Sequence, residues 1–214
     1  MLWPDSSAST AATGLRVALS ALRNALEPDR ESGSDGRFVR RDGDIIRLAT
    51  DSGLRVDVDD FTRLLKAGRA AESGSRETMI AAYEAALGLY RGEFLEEHPY
   101  AAWAEEERQL HRSEFLAGAE RFATLLLRAG DSERAVRLAE AMLQQDTLWE
   151  GAYAILMEAH WQQGNRALAV RAYNRCKKRL RDALGVAPSA RITTLLERIA
   201  RPEGASTASS HERS

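Results

Sequence analysis

The chain has 214 residues, of which 44 % are hydrophobic, with 30 basic and 32 acidic side chains and a net charge of −2. That is room for one ordinary domain plus a small one with a packed core, and the charge balance excludes a polycation: nucleic-acid binding would need a local patch. No apolar run approaches the roughly 18 residues of a membrane span, "MLWPDSSAST" lacks the form of a secretion signal, and the single cysteine, Cys176, excludes an intrachain disulfide framework and a multi-cysteine zinc site, so the expectation is a cytoplasmic protein off the membrane.

The first element is a predicted helix over 7–26, "SASTAATGLRVALSALRNAL". Serines and threonines ahead of it suit the N-cap, and Pro28 ends it. Leu15, Ala18, Leu19, Leu22, Ala25 and Leu26 follow the three-and-four spacing of one face, and Arg16, Ser20 and Arg23 that of another. A turn-rich loop, "EPDRESGSDG", leads to "RFVRRDGDIIRL". Asp42-Gly43 between two short runs predicts a two-residue hairpin turn, which pairs Arg41 with Asp44, Arg40 with Ile45, Val39 with Ile46 and Phe38 with Arg47.

From Phe61 to about Ile199 the pattern is helical, with segments near 58–71, 76–91, 100–129, 132–145, 149–163, 166–183 and 190–200. Short loops between them imply antiparallel neighbours. "AGDSERAVR" and "QGNRALAVR" match at Gly130/Gly164, Ala135/Ala169, Val136/Val170 and Arg137/Arg171, an offset of 34 residues each time. That is the period of tetratricopeptide helix pairs, in which glycine turns the chain and a small alanine lets helices approach. The tail "PEGASTASSHERS" has almost no apolar residues and reads as disordered.

Enzyme signatures are sparse. His98, His111, His160 and His211 are scattered and form no paired metal motif. Cys176 lies among basic residues that would lower its pKa, yet no partner base stands beside it, which favours a structural role. The carboxylates of "LEEHP" and "WAEEERQ" point in different directions along their helices and do not converge as acid–base catalysis requires. The reading is therefore not an enzyme, with no cofactor and no metal. Stacked helix pairs form an extended groove; Trp103, Trp149, Tyr153, Trp161 and Tyr173 are its candidate lining or else inter-helix core.

A helix followed by a β-hairpin describes the recognition helix and wing of a winged helix, the helix in the major groove and the wing on the adjacent backbone. Arg16 and Arg23 suit base edges or phosphates, Ser20 can hydrogen-bond either, and Arg40, Arg41 and Arg47 suit phosphates. Residues 1–55 hold eight arginines and eight acids, so their footprint is electrostatically neutral overall.

From about Asp57 to Ile199 the chain resembles the bacterial transcriptional activator domain of SARP-type regulators. The resembling stretches are "VDVDDFTRLL", "AALGLYRGEFL", "WAEEERQLHRSEFL" and "LWEGAYAILMEAHWQQGNRALAVRAYNRCKKRLRDALGVAPSARITTLLERI", the closing "LGVAPS" after a tetratricopeptide helix being the most specific. Ahead of it, "LWPD" resembles the exit of the second helix of the family's DNA-binding domain, "GLRVALSALRNALEP" its recognition helix, with contact positions at Arg16, Ser20, Ala21 and Arg23, and "FVRRDGDIIRL" its wing. Family members carry a sheet and two helices before "LWPD", so the resemblance implies an N-terminally truncated winged helix.

The expected architecture is mainly α: a partial winged helix (one helix plus a β-hairpin) over 1–55, a tetratricopeptide-like activator domain over 56–200 and a disordered tail over 201–214. The resemblance implies a transcriptional activator that binds repeated promoter DNA sites, meets RNA polymerase or another regulator through the helical repeat, and acts singly or as a homodimer. The alternative is a helical-repeat interaction module that does not bind DNA by itself.

Overall fold

The computed structural model describes residues 6–29, 36–43, 45–49, 51 and 53–201. The expectations on "LWPD", on His211 and on the tail beyond Arg201 lie outside these residues.

Helix α1, Ala8–Leu26, starts where Ser7 accepts the Thr10 amide at 3.2 Å, and strands β1, Val39–Asp42, and β2, Ile45–Leu48, form an antiparallel hairpin. The register corrects the sequence expectation. Val39 faces Leu48, Arg40 faces Arg47, Arg41 faces Ile46 and Asp42 faces Ile45. Gly43 has φ +60° and takes the first loop position, where primed turns need positive φ. Each partner has moved by two residues, so Arg40, Arg47 and Ile45 still share one face and Arg41, Val39 and Ile46 the other. The expected Arg41–Asp44 pairing gives way to Arg41–Ile46.

Seven further helices are described: α2 Asp57–Ala71, α3 Arg76–Leu89, α4 Glu105–Arg128, α5 Ser132–Gln145, α6 Glu150–Gln162, α7 Arg166–Leu184 and α8 Ala190–Ala200. Their bounds fall close to those predicted, except that α4 begins five residues late, after a 3₁₀ turn at Ala102–Ala104. The chain ahead of it is fixed by buried Arg108. Its Nε donates to the Phe94 carbonyl at 2.9 Å, Nη2 to His98 at 2.6 Å and Nη1 to Pro99 at 3.3 Å. The guanidinium thus ties three carbonyls of the irregular segment to the first turn of α4 and holds that segment in place.

The helices pair as α2/α3, α4/α5 and α6/α7, with α8 closing the row against α6 and α7. The repeat is exact at its turns. Gly130 and Gly164, at φ +78° and +72°, end α4 and α6. The next residue donates back six residues in count, Asp131 to the Leu126 carbonyl at 2.9 Å and Asn165 to His160 at 2.8 Å, while each glycine amide bonds Leu127 or Trp161. This is the Schellman closure. Asp131 and Asn165 then cap the following helix by accepting the Arg134 and Leu168 amides. Ala135 and Ala169 are both fully buried at the crossings.

The core runs as one cluster from Phe61 to Ile199, with Tyr83 stacked on Phe122 and Tyr90 on Phe115 at centroid separations of 5.1 and 4.3 Å. Cys176 lies in it fully buried, and burial pushes its thiol up to about 11, so its basic sequence neighbours do not decide its chemistry. Among the described residues no helix is long and apolar enough to cross a membrane.

Alanine in place of Gly130 or of Gly164 should cost about 1 kcal/mol in each case, because a Cβ strains the left-handed turn; urea denaturation of the two variants should give values alike within error. The native protein at pH 8 should leave Cys176 unlabelled by a disulfide reagent, with one thiol per chain appearing on unfolding. Its folded pKa lies above the unfolded one, so its stabilising contribution is complete below about pH 9 and is lost as pH rises towards 11.

Candidate nucleic-acid interface

The helix α1 and the β1–β2 hairpin are joined by polar contacts at one corner. Glu27, just past the last turn of α1, accepts the Arg37 amide at 3.0 Å and the Phe38 amide at 2.9 Å. Arg23, one turn earlier, donates from Nη2 to the Val39 carbonyl at 3.2 Å. Gly36 lies between them: a Cβ there would stand 2.9 Å from the Val39 carbonyl oxygen and 3.3 Å from both Arg23 Nε and Glu27 Oε1. A larger residue there would force the Val39 carbonyl and the side chains of Arg23 and Glu27 to shift. On the hairpin side Val39 is fully buried, and the Ala49 amide donates to the Phe38 carbonyl at 2.8 Å. Glu27 was not among the residues singled out from the sequence. Its two partners lie ten and eleven positions away across a loop, and no local pattern carries that signal.

The six residues expected at the interface divide in two. Arg16 and Ser20 are exposed on α1, one turn apart. Arg40 and Arg47 face each other across the hairpin and are exposed; Arg40 pairs with Asp51 at 3.1 Å. Facing like charges repel, and Asp51 relieves this on one side. Arg23 and Arg41 are engaged with backbone instead. The half-buried Arg23 guanidinium holds the hairpin, and Arg41 Nε donates to the Gly43 carbonyl at 2.7 Å, bracing the turn.

The apolar side of this unit is thinly covered. No residue of α1 is buried; Val17 and Leu22 are 65 % and 41 % exposed, and on β2 Ile45, Ile46 and Leu48 are exposed too. Just ahead of α2 the contacts are polar. Arg55 donates to Asp60 on the first turn of α2, and Arg63 together with Arg55 holds the Asp60 carboxyl below the usual range. Of the aromatics considered for a groove, Tyr153 is core, Trp149, Trp161 and Tyr173 are half-buried and Trp103 is exposed.

Alanine in place of Glu27 removes the acceptor of two amides, each bond to a charged group being worth about 1.5–3 kcal/mol before solvent screening. Hydrogen exchange at the Arg37 and Phe38 amides should then quicken by about tenfold or more, while amides in α6 keep their protection.

Residues 56–200 match the bacterial transcriptional activator domain. The chain is 27 % identical over 202 residues to the regulatory protein AfsR of Streptomyces griseus, covering 94 % of this chain and 20 % of that protein. It is 27 % identical over 211 residues to the regulatory protein DnrI of Streptomyces peucetius, covering 94 % and 75 %, and 30 % identical over 141 residues to the transcriptional regulator RedD of Streptomyces coelicolor, covering 63 % and 39 %. It thus spans a fifth of the first, three quarters of the second and well under half of the third. Mycobacterium tuberculosis EmbR, solved in complex with a low-affinity phosphopeptide, has the same fold at TM-score 0.72 and 24 % identity, over 92 % of this chain and 52 % of that one. A helix–hairpin unit ahead of a 34-residue helical repeat that matches along its whole length has one reading: the chain belongs to the bacterial transcriptional activator domain family of SARP-type regulators.

Proposed function

We propose that this regulator contacts promoter DNA through α1 and the β1–β2 hairpin and contacts other proteins through α2–α8. The domains in this reading are residues 1–55 as the winged-helix part, 56–200 as the activator domain and 201–214 as a tail. The observation that carries it is the fixed corner of Arg23, Glu27 and Gly36, which keeps a helix bearing exposed Arg16 and Ser20 beside a hairpin bearing exposed Arg40 and Arg47. A helix in the major groove with a wing on the neighbouring phosphates needs this pairing of elements at a constant angle. Arg16 and Ser20 are assigned to base edges or phosphates, and Arg40 and Arg47 to phosphates. Arg23 and Arg41 set the angle of helix and turn from their backbone contacts and are assigned to the DNA face beside them. The protein works in the cytoplasm by binding, without a catalytic step. Its partners are repeated promoter sites, RNA polymerase or a second regulator, and a second copy of the chain where sites repeat.

A second reading has its own observation. The core cluster lies wholly between Phe61 and Ile199, and α1 buries no side chain. The helical stack could then serve as an interaction module without DNA binding.

Titration of promoter-DNA binding against salt separates the two. A DNA reader loses affinity steeply as salt rises, and replacing Arg16 or Arg47 by alanine should weaken binding and lower the salt slope by about 1 each. Absent or salt-independent binding, with a fragment of residues 56–200 as stable as the whole chain, would establish the interaction module instead.

A further inference from the structure

The first helices of the three pairs, α2, α4 and α6, pack on one another in a row that α8 extends. Along this row run two adjoining cavities of about 690 and 410 Å³, which share Thr124 and Arg128 on α4. Each is of the size that holds a bound ligand group. Leu125 lines the larger, and Ile155 and Leu195 line the smaller, so the floor is partly apolar.

The charges in the groove do not cancel. Three carboxylates line it, and each already has an arginine. Glu72 takes both Nε and Nη2 of Arg121 at 2.5 and 2.6 Å, together with the Tyr83 hydroxyl at 2.5 Å; Arg121 foremost holds its carboxyl below the usual range. Glu120 accepts from Arg191 at 2.8 Å and from the Trp149 indole at 2.9 Å. Glu158 pairs with Arg198. Two arginines are left over. Arg69 lines the larger cavity and Arg128 both, both are exposed, and among the described residues neither guanidinium donates a hydrogen bond or closes an ion pair, although the Arg69 charge helps Arg121 hold the Glu72 carboxyl low. The paired residues are locked to one another and fix the walls, while the guanidinium donors of Arg69 and Arg128, unused among the described residues, are open to a ligand.

We infer that this groove binds an acidic, partly apolar peptide segment of a partner protein, with Arg128 at its centre and Arg69 at one end meeting the segment's carboxylates. The inference rests on the proposed role of α2–α8 in protein contact and names the chemistry of the partner. A peptide fits where a nucleic acid does not. The floor takes side chains such as leucine, and with the other lining charges closed into ion pairs only two cations remain, too few for a continuous row of phosphates, whereas a peptide can space its acids to meet those two alone.

The test uses the full chain and three fluorescein-labelled probes: a twelve-residue peptide of repeating Asp-Leu-Glu, the matching peptide of Lys-Leu-Lys, and a twelve-nucleotide thymidine strand. Fluorescence anisotropy should report binding of the acidic peptide alone. The double variant Arg69→Gln/Arg128→Gln should weaken that binding at least tenfold, with an unchanged circular dichroism spectrum and melting temperature. Its promoter-DNA affinity should match that of the native chain, so this inference and the DNA reading can fail separately. The inference is overturned if the acidic peptide does not bind, if the double variant binds it equally well, or if the thymidine strand binds with the same sensitivity to the two substitutions.

Discussion

Seven consecutive residues of α6, Gly151 to Met157, are buried, so along half its length this helix has no solvent face at all. A helix that is apolar all round must be enclosed, and α4, α5, α7 and α8 all pack against it. The stack depends on that enclosure. A single helix pair cannot cover both of its apolar sides, and stability in such an array comes from each pair burying the next. The close crossings follow from residue size: Ala135, Ala139, Ala152, Ala159 and Ala169 are all fully buried, where longer side chains would hold the helices apart. Identical glycine closures at Gly130 and Gly164 then return the chain at the same angle, and the row grows by repetition.

The front of the molecule is built on another principle. There the burial that fixes α6 is lacking, and α1 meets the hairpin through charge-assisted hydrogen bonds at one corner. Such bonds are directional and fix an angle, while contributing little net stability where water competes for them. A recognition element requires that directionality, because the spacing of helix and wing must match a groove and its adjacent backbone. The two halves of the chain thus have separate sources of order, one apolar and cooperative, the other polar and local.

Charge on the stack is likewise partitioned. On α7, Arg175 is committed to Glu140, while Lys178 and Arg181 share the single carboxylate of Asp182, so the basic run near the end of that helix is neutralised only in part. Arg108 is spent entirely inside the protein, holding the chain before α4. What distinguishes Arg69 and Arg128 is their setting, since the other charges lining their groove are closed into ion pairs. Unpaired cations in an otherwise balanced groove select by charge, and the apolar floor selects by shape.

The sequence by itself determined the helices, their order and their pairing, because three-and-four apolar spacing and the 34-residue recurrence of Gly-x₄-Ala are local signals with a single physical reading. It also determined that a helix and a hairpin precede them and which arginines each bears. The hairpin register was not legible: Asp42-Gly43 and Gly43-Asp44 are both turn dipeptides, and the observed register goes with a buried Val39 whose carbonyl accepts from Arg23 on α1, a contact between distant positions. Nor could the sequence say which arginines are free. Arg16 and Arg23 look alike on a helical wheel, and so do Arg121 and Arg128, yet one of each pair is held by a partner far along the chain, the Val39 carbonyl for Arg23 and Glu72 for Arg121. Such partners are brought together by the folded chain alone, so the tertiary structure decided which cations hold the protein together and which remain to hold something else.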